Sequence, residues 1–197
     1  MSKYILLSLL AYFCGSIPSG VWIGKMVKGI DIRTVGSKNS GATNAYRTLG
    51  AKCGIATLIL DALKGYLPLY VASHFDISDK YIVVIGLIAI FAHSMSCFLN
   101  FKGGKGVATS LGAMLAVHPV AALTCFAVFG VVVAVTKYVS LGSVIGIACS
   151  PIVVYLMGKK EAIPVTVFLG LSVIYTHRAN LKRVFSGNER KIGQKKN

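Results

Sequence analysis

Acidic side chains are scarce in this sequence. The 197 residues include six, Asp31, Asp61, Asp76, Asp79, Glu161 and Glu189, against 21 Lys and Arg, for a formal net charge of +15. Charged residues make up 14% of the chain, where a soluble domain carries about 25%. No CxxC pair occurs: Cys14, Cys53, Cys97, Cys125 and Cys149 are scattered, mostly within apolar runs. Thiols so placed read as small buried hydrophobes rather than redox groups. With so few carboxylates and no cluster at metal-ligand spacing, neither a metal nor a cofactor is expected. Long polar stretches are missing too, so there is no soluble domain to bind nucleic acid, and that partner is excluded despite the basic balance.

What fills the chain is hydrophobe, 55% of residues, with a mean hydropathy of +0.71. This is the composition of an all-α polytopic membrane protein. Apolar segments fall at about 4–24, 54–74, 81–101, 106–118, 120–136, 139–157 and 162–177. Most can cross ~30 Å of hydrocarbon at 1.5 Å per residue. Segment 106–118 is too short, and Pro119 follows at once. Either it is a short helix turning back, or 106–136 is one broken crossing. Charge decides. With seven segments, sixteen Lys and Arg fall on one side and four on the other; with six, the split is even. The positive-inside rule therefore predicts seven transmembrane helices, N-terminus outside and C-terminus cytoplasmic. The first run occupies a signal peptide's place but lacks an Ala-x-Ala-like site before a soluble domain, so it is expected to be a retained span. No repeat or linker is apparent, and residues 1–197 are expected to form a single integral-membrane domain. The tail after Gly187, "NERKIGQKKN", is expected to be mobile beside anionic headgroups.

That topology gathers three unusual stretches on one membrane face: "VGSKNSGATNAYRTLG" at 35–50, "NFKGGKGVAT" at 100–109 and "HRANLKRVFSGNE" at 177–189. In the second, Gly103, Gly104 and Gly106 can take positive φ and let backbone N–H groups converge beside Lys102 and Lys105. A helix starting near Gly106 would add its N-terminal dipole, giving a site suited to phosphate. A tight turn at the membrane interface would use the same residues. The stretch is not a Walker loop: Gly106 stands in the Ser/Thr place and Leu99 where the first glycine belongs. The first stretch offers Ser37, Asn39, Gly41, Thr43 and Asn44, then Arg47, whose planar fork suits phosphate oxygens; an ordinary capped loop would look alike. In the third, His177 and Asn180 fall three apart, on one helical face at the end of the last span. This His could move a proton or donate to phosphate, or simply border a basic tail.

Two patterns elsewhere are weighed and set aside. His74 and Asp79 form an H-x4-D, the pattern of many glycerolipid acyltransferases, but lie in the expected outer loop. Asp61 and Lys64, within the second segment, are spaced to neutralise each other.

Together, and in this order, "GSKNSGATNAYR", "FKGGKGVAT" and "HRANLKRVFSGNE" resemble the three motifs of the bacterial acyl-phosphate:glycerol-3-phosphate acyltransferases, the PlsY family. The resemblance covers essentially the whole chain. It implies a seven-helix enzyme of the bacterial inner membrane, with its active site facing the cytoplasm. Its reaction transfers a fatty acyl group from acyl phosphate to the 1-hydroxyl of sn-glycerol 3-phosphate. The products are lysophosphatidic acid and inorganic phosphate, in the first step of phospholipid synthesis. The implied partners are these two substrates, the lipid bilayer and, by functional coupling, the enzyme that makes acyl phosphate. The family pattern makes Ser37 and Arg47 essential and puts the Gly41, Ala42, Thr43 and Asn44 backbone, with Asn39, near the acyl phosphate. Lys102, Gly103, Gly104, Lys105 and Gly106 become the glycerol-phosphate site, His177 and Asn180 active-site groups, Ser140 a further phosphate contact and Glu189 a structural residue. Lys38 departs from the small residue expected there.

A mixed-anhydride donor already carries a good leaving group, so expulsion of phosphate needs no metal. Ser37, Asn44, Arg47, Lys105 and backbone amides would stabilise the charge that develops. Neither of the first two stretches holds an Asp or Glu to act as base, so the expected proton acceptor is a substrate phosphate oxygen, with His177 as the alternative. A covalent route through a Ser37 acyl-enzyme would need an adjacent base, and direct transfer is expected. The competing class is a transporter of phosphate-bearing solutes, which a broken helix and basic loops also suit. Such a protein would want anion-binding groups reachable from both sides, and the basic stretches are expected on one.

Overall fold

A computed structural model describes residues 2–194. Among them all regular structure is helical, and the chain divides into two compact units, Met1–Val117 and His118–Asn197.

The first unit opens with α1 (Ser2–Ser16) and α2 (Ser19–Lys28), one apolar stretch broken at Ile17–Pro18. Proline has no N–H and cannot continue the ladder. Carbonyls at the break must find partners inside the protein, since lipid offers none: Lys64 Nζ donates to the Ile17 carbonyl at 2.7 Å, beside the Ser19 N–H at 3.1 Å, and Ser96 Oγ donates to that of Ser16 at 2.5 Å. After a loop with a 3-10 turn at Ile32–Thr34 come α3 (Ala42–Leu49), α4 (Ala51–Ala72), α5 (Asp79–Ser94), a 3-10 turn at Cys97–Leu99 and α6 (Val107–Val117). Helices α4 and α6 cross at near backbone contact. A Cβ at Gly65 would overlap the Thr109 carbonyl, and one at Gly112 the carbonyl of Ala62. Small residues at the crossing are how membrane helices gain packing area without a hydrophobic driving force. The core of this unit is correspondingly small-sided, with Ala11, Ala72, Ala89 and Ala113 around Leu7, Leu69 and Ile85.

The second unit contains α7 (Pro119–Thr136), α8 (Val139–Ala148), α9 (Ser150–Leu156), a 3-10 turn at Lys160–Ala162, α10 (Ile163–Thr176) and α11 (Arg178–Phe185). Lys137 ends α7 in the left-handed conformation, φ 63°.

Each of the seven apolar segments is thus helical. Among the described residues five helical stretches are long and apolar enough to cross a membrane: Ser2–Lys28, Ala51–Ala72, Asp79–Leu99, Pro119–Thr136 and Val139–Leu156. A sixth is Lys160–Thr176 with Arg178–Phe185, if that pair, bent by 62°, counts as one. Large apolar side chains such as Leu6, Ile59, Phe126, Val131 and Phe168 are exposed. In water such surfaces would aggregate; here they face lipid.

Candidate active site

The first glycine-rich stretch is a loop organised around one buried side chain. Asn44, 1% exposed, sits in the first turn of α3 and reaches back into the chain before it. Its Nδ2 donates to the carbonyls of Ile32, Asn39 and Val35 at 2.6, 2.9 and 3.2 Å, and its Oδ1 accepts from the Ser37 N–H at 2.8 Å. Gly36, at φ +63°, passes so close that a Cβ there would overlap Oδ1. The loop therefore presents Ser37 and Lys38, both exposed, from a fixed backbone. Lys38 takes φ +57°, a left-handed conformation that glycine or asparagine adopts at less cost. Gly41 N–H is held by Asn39 Oδ1 at 2.9 Å, and Asn44 N–H donates to the Gly41 carbonyl at 3.1 Å. Of the four amides from Gly41 to Asn44, those of Ala42 and Thr43 are the ones a helix start leaves to an outside acceptor. Arg47 lies on the same short helix, partly buried.

Upstream, Asp31 caps the 3-10 turn by accepting from the Arg33 N–H at 2.9 Å and pairs with the Arg33 guanidinium at 2.7 Å. That hydrogen-bonded guanidinium holds the Asp31 carboxyl below the usual carboxylate range. Arg33 Nη1 also lies 3.5 Å from the Leu99 carbonyl, so one side chain spans from the first loop to the start of the second.

The second stretch is built differently from expectation. Of its glycines, Gly106 alone has positive φ, +79°; the left-handed residues before it are Asn100 and Phe101, at φ 51° and 59°. Gly103 and Gly104 do not offer their amides to an anion. Their N–H groups donate to the carbonyls of Ser94 and His93 at 2.9 and 3.1 Å, closing the C-terminus of α5. Both are glycine for want of space: a Cβ at Gly103 would overlap the His93 carbonyl and one at Gly104 the His93 ring. The predicted helix start is present. The Ser110 N–H donates to the Gly106 carbonyl at 2.7 Å, and α6 begins at Val107. Gly106 and the first-turn amides of α6 are thus the donors left to face a phosphate, with Lys102 exposed and Lys105 partly buried beside them.

The third stretch lies in the other unit and is described by itself. The helix bends at His177, which ends α10 and starts α11, so His177 and Asn180 do not share one straight helical face as expected. His177 is buried, and its Nδ1 lies 2.9 Å from the Val173 carbonyl. A carbonyl can only accept, so Nδ1 carries the proton and Nε2 keeps its lone pair in the neutral ring. Glu189, 7% exposed, collects Asn180 Nδ2 at 2.7 Å, Ser140 Oγ at 3.0 Å and Arg183 Nε at 2.8 Å. Burial pushes its carboxyl upward, but hydrogen bonds from Asn180, Arg183 and Ser140 outweigh that and leave it below the usual range. Ser140, read as a phosphate contact, spends its hydroxyl proton on Glu189. The tail expected to be mobile is pinned as far as it is described: besides Glu189, Ile192 N–H donates to the Lys137 carbonyl at 2.8 Å.

His93 is the residue the sequence reading passed over. Asp61 and Lys64 pair at 2.8 Å as their spacing predicted, and His93 Nδ1 lies 3.9 Å from the same Asp61 oxygen. A lone His near the end of an apolar run, seven residues before the glycine stretch, was the available signal. His74 is exposed and bonded through Nδ1 to the Tyr70 carbonyl, at 2.8 Å. Among the described residues no group of three His, Cys, Asp or Glu could hold a metal.

The model of the family described as "Glycerol-3-phosphate acyltransferase" matches residues 5–187, and so takes in the first two stretches and all of the third but its last two residues. The chain belongs to the glycerol-3-phosphate acyltransferase family. A protein of that name from Fusobacterium nucleatum is 52% identical over 93% of this chain and 95% of its own length. One from Clostridioides difficile is 49% identical over 98% of both. Among solved structures, the crystal structure of PlsY (YgiH), an integral membrane glycerol 3-phosphate acyltransferase in its glycerol 3-phosphate form, superposes with a TM-score of 0.90. It is 38% identical and covers 97% of this chain and 96% of that one. The lysophosphatidic acid form gives 0.88 at 37% identity. This family member is therefore a multi-pass membrane protein, and the transporter reading has no support in its relatives.

Proposed function

We propose that this protein transfers a fatty acyl group from acyl phosphate to the 1-hydroxyl of sn-glycerol 3-phosphate, releasing lysophosphatidic acid and inorganic phosphate, as the first step of phospholipid synthesis. The observation that carries this reading is the family match, which reaches into all three basic stretches, together with a relative solved in its glycerol 3-phosphate form. The glycerol-3-phosphate acyltransferase assignment follows from the family. The acyl-phosphate donor rests on the resemblance of the motifs and on the absence of carboxylates from the first two, which suits a donor that is already activated.

In this reading residues 1–197 act as one catalytic domain with seven crossings in the bacterial inner membrane. The N-terminus lies outside, and the C-terminus and active site face the cytoplasm. Ser37 and Arg47 face the acyl phosphate from the loop that Asn44 stiffens, with the Ala42 and Thr43 amides as further donors. Asn44 itself works by positioning, since its amide is already engaged on both ends. Lys102, Lys105, Gly106 and the start of α6 take the phosphate of the glycerol substrate. The glycerol hydroxyl attacks the acyl carbon, Arg47 and Lys105 offset the charge on the departing phosphate, and a phosphate oxygen receives the proton. No acyl-enzyme forms on Ser37. His177 and Asn180 act as catalytic groups, with Glu189 orienting Asn180.

The test is release of inorganic phosphate from palmitoyl phosphate by purified, lipid-reconstituted protein, with and without sn-glycerol 3-phosphate. Glycerol-phosphate-dependent release with lysophosphatidic acid formed one for one supports the reading. No release from folded protein sinks it, and a turnover-competent acyl group trapped on Ser37 sinks the direct route.

A further inference from the structure

One buried polar cluster lies outside all three stretches. Asp61, Lys64 and His93 are 2%, 5% and 7% exposed, on helices that cross the apolar layer. Ionisable groups there are costly and call for a reason. Lys64 divides its ammonium between Asp61 Oδ1 at 2.8 Å and the Ile17 carbonyl at 2.7 Å, which repairs the α1–α2 break. That accounts for two members of the cluster and leaves His93.

His93 occupies the last turn of α5 and meets the second glycine stretch twice. Its carbonyl, with that of Ser94, belongs to the set a helix end leaves unsatisfied, and the two accept the Gly104 and Gly103 amides. Its ring lies against Gly104 so closely that Nε2 occupies the space a Cβ would need. On the other edge Nδ1 faces Asp61 Oδ1 at 3.9 Å, beyond hydrogen-bond range but within reach of the carboxylate's charge. The ring is thus wedged between a fixed carboxylate and the loop backbone. The same wedging argues against a direct role as base, since Gly104 covers the nitrogen that would have to reach a substrate hydroxyl.

We propose that His93, held in place by the buried Asp61–Lys64 pair, is the positioning residue of the Gly103–Gly106 loop and thereby sets affinity for the phosphate of the glycerol substrate. The inference rests on the reading above that this loop binds that phosphate. Asp61, paired with Lys64, backs one edge of the ring, the ring and its carbonyl fix Gly103 and Gly104, and these place Lys105, Gly106 and the start of α6.

The experiment measures sn-glycerol 3-phosphate binding by calorimetry to the full-length protein in lipid nanodiscs, beside KM for both substrates and thermal unfolding. His93→Gln is expected to weaken glycerol-phosphate binding, and raise its KM, by about tenfold, as loss of an outer positioning group does at other preorganised sites. KM for acyl phosphate should stay within about twofold, because that substrate is read by the other loop. Gly104→Ala should weaken binding by about tenfold alone and by less than about threefold in the His93→Ala background, where the ring it strikes is gone. Unchanged affinity in folded His93→Gln, equal loss for both substrates, or an undiminished Gly104→Ala effect without the ring would each overturn the proposal. If His93 variants do not fold, Asp61→Asn must shift the glycerol-phosphate KM alone; failure of that variant to fold as well would mark the cluster as purely architectural. A wild-type protein that does not bind sn-glycerol 3-phosphate would instead overturn the functional reading, and this inference with it.

Discussion

Asn44 spends one amide group on four backbone partners, so its truncation does not remove one hydrogen bond but strands the buried Ile32 carbonyl and breaks partly buried bonds to Val35, Ser37 and Asn39. Each unsatisfied group costs about 1–3 kcal/mol. Asn44→Ala should therefore lose at least about 2 kcal/mol of stability, together with most turnover, on thermal unfolding and phosphate-release assays. Ser37→Ala and Arg47→Ala should behave differently: unfolding close to wild type, with turnover down by about 10²–10³ or more, the cost of removing a donor aimed at developing charge. A Ser37→Ala enzyme at full rate would remove that residue from the mechanism. The sequence could show that Asn44 is small and polar; it could not show what the amide bonds, because its partners at Ile32 and Val35 are backbone carbonyls, and every residue type has one. The structural role of Glu189 came from the resemblance of the third stretch to the family pattern, and its partners Asn180, Ser140 and Arg183 are what the structure adds.

Helices were the most legible level, because a crossing needs length and hydropathy and both are written in single runs. The short α6 was visible from Pro119 and from the charge count before it. The α1–α2 break was not, since hydropathy barely changes at Ile17–Pro18 and the side chains that repair it, Lys64 and Ser96, come from distant positions. The α4–α6 crossing was also hidden, for Gly65 and Gly112 are unremarkable in a sequence with 21 glycines. Their role gives a prediction at this scale. Gly65→Leu or Gly112→Leu forces two helix backbones apart, and overpacking costs about 1–3 kcal/mol even where neighbours can yield. Backbone carbonyls cannot yield as side chains do, so both variants should unfold well below wild type in detergent. Unchanged unfolding would mean that the helices do not approach as closely as described. The closing tail is a second element-scale device. Glu189's carboxyl sits below its ordinary value, so its contribution is present above the unfolded value of about 4.3 and is lost as pH falls through the lowered folded one. Amide exchange at Glu189 and Ile192 should be slow at pH 7 and accelerate below about pH 4 relative to the intrinsic rate. Glu189→Gln should make it fast already at pH 7.

The whole molecule is organised by where its positive charge is allowed to be. Sixteen of 21 Lys and Arg fall on one side of a seven-crossing arrangement, and the even split of a six-crossing one gives no bias at all. An uneven count orients a membrane protein because cytoplasmic loops keep their cations. In the function proposed above, the same cations hold two phosphate-bearing substrates. On that proposal topology and chemistry make one demand on the sequence, and a chain turned over in the membrane would put its binding groups out of reach of both substrates. The short α6 decides the parity. If it counts as a crossing, the termini lie on opposite sides; if it does not, they share one. In a protein with its five cysteines replaced by alanine, single cysteines at Ser2 and Asn188 separate the cases with a membrane-impermeant maleimide on intact cells. We expect Ser2→Cys to label at once and Asn188→Cys to label after permeabilisation. Labelling of both, or of neither, before permeabilisation would return the count to six and leave the basic loops divided between the two faces.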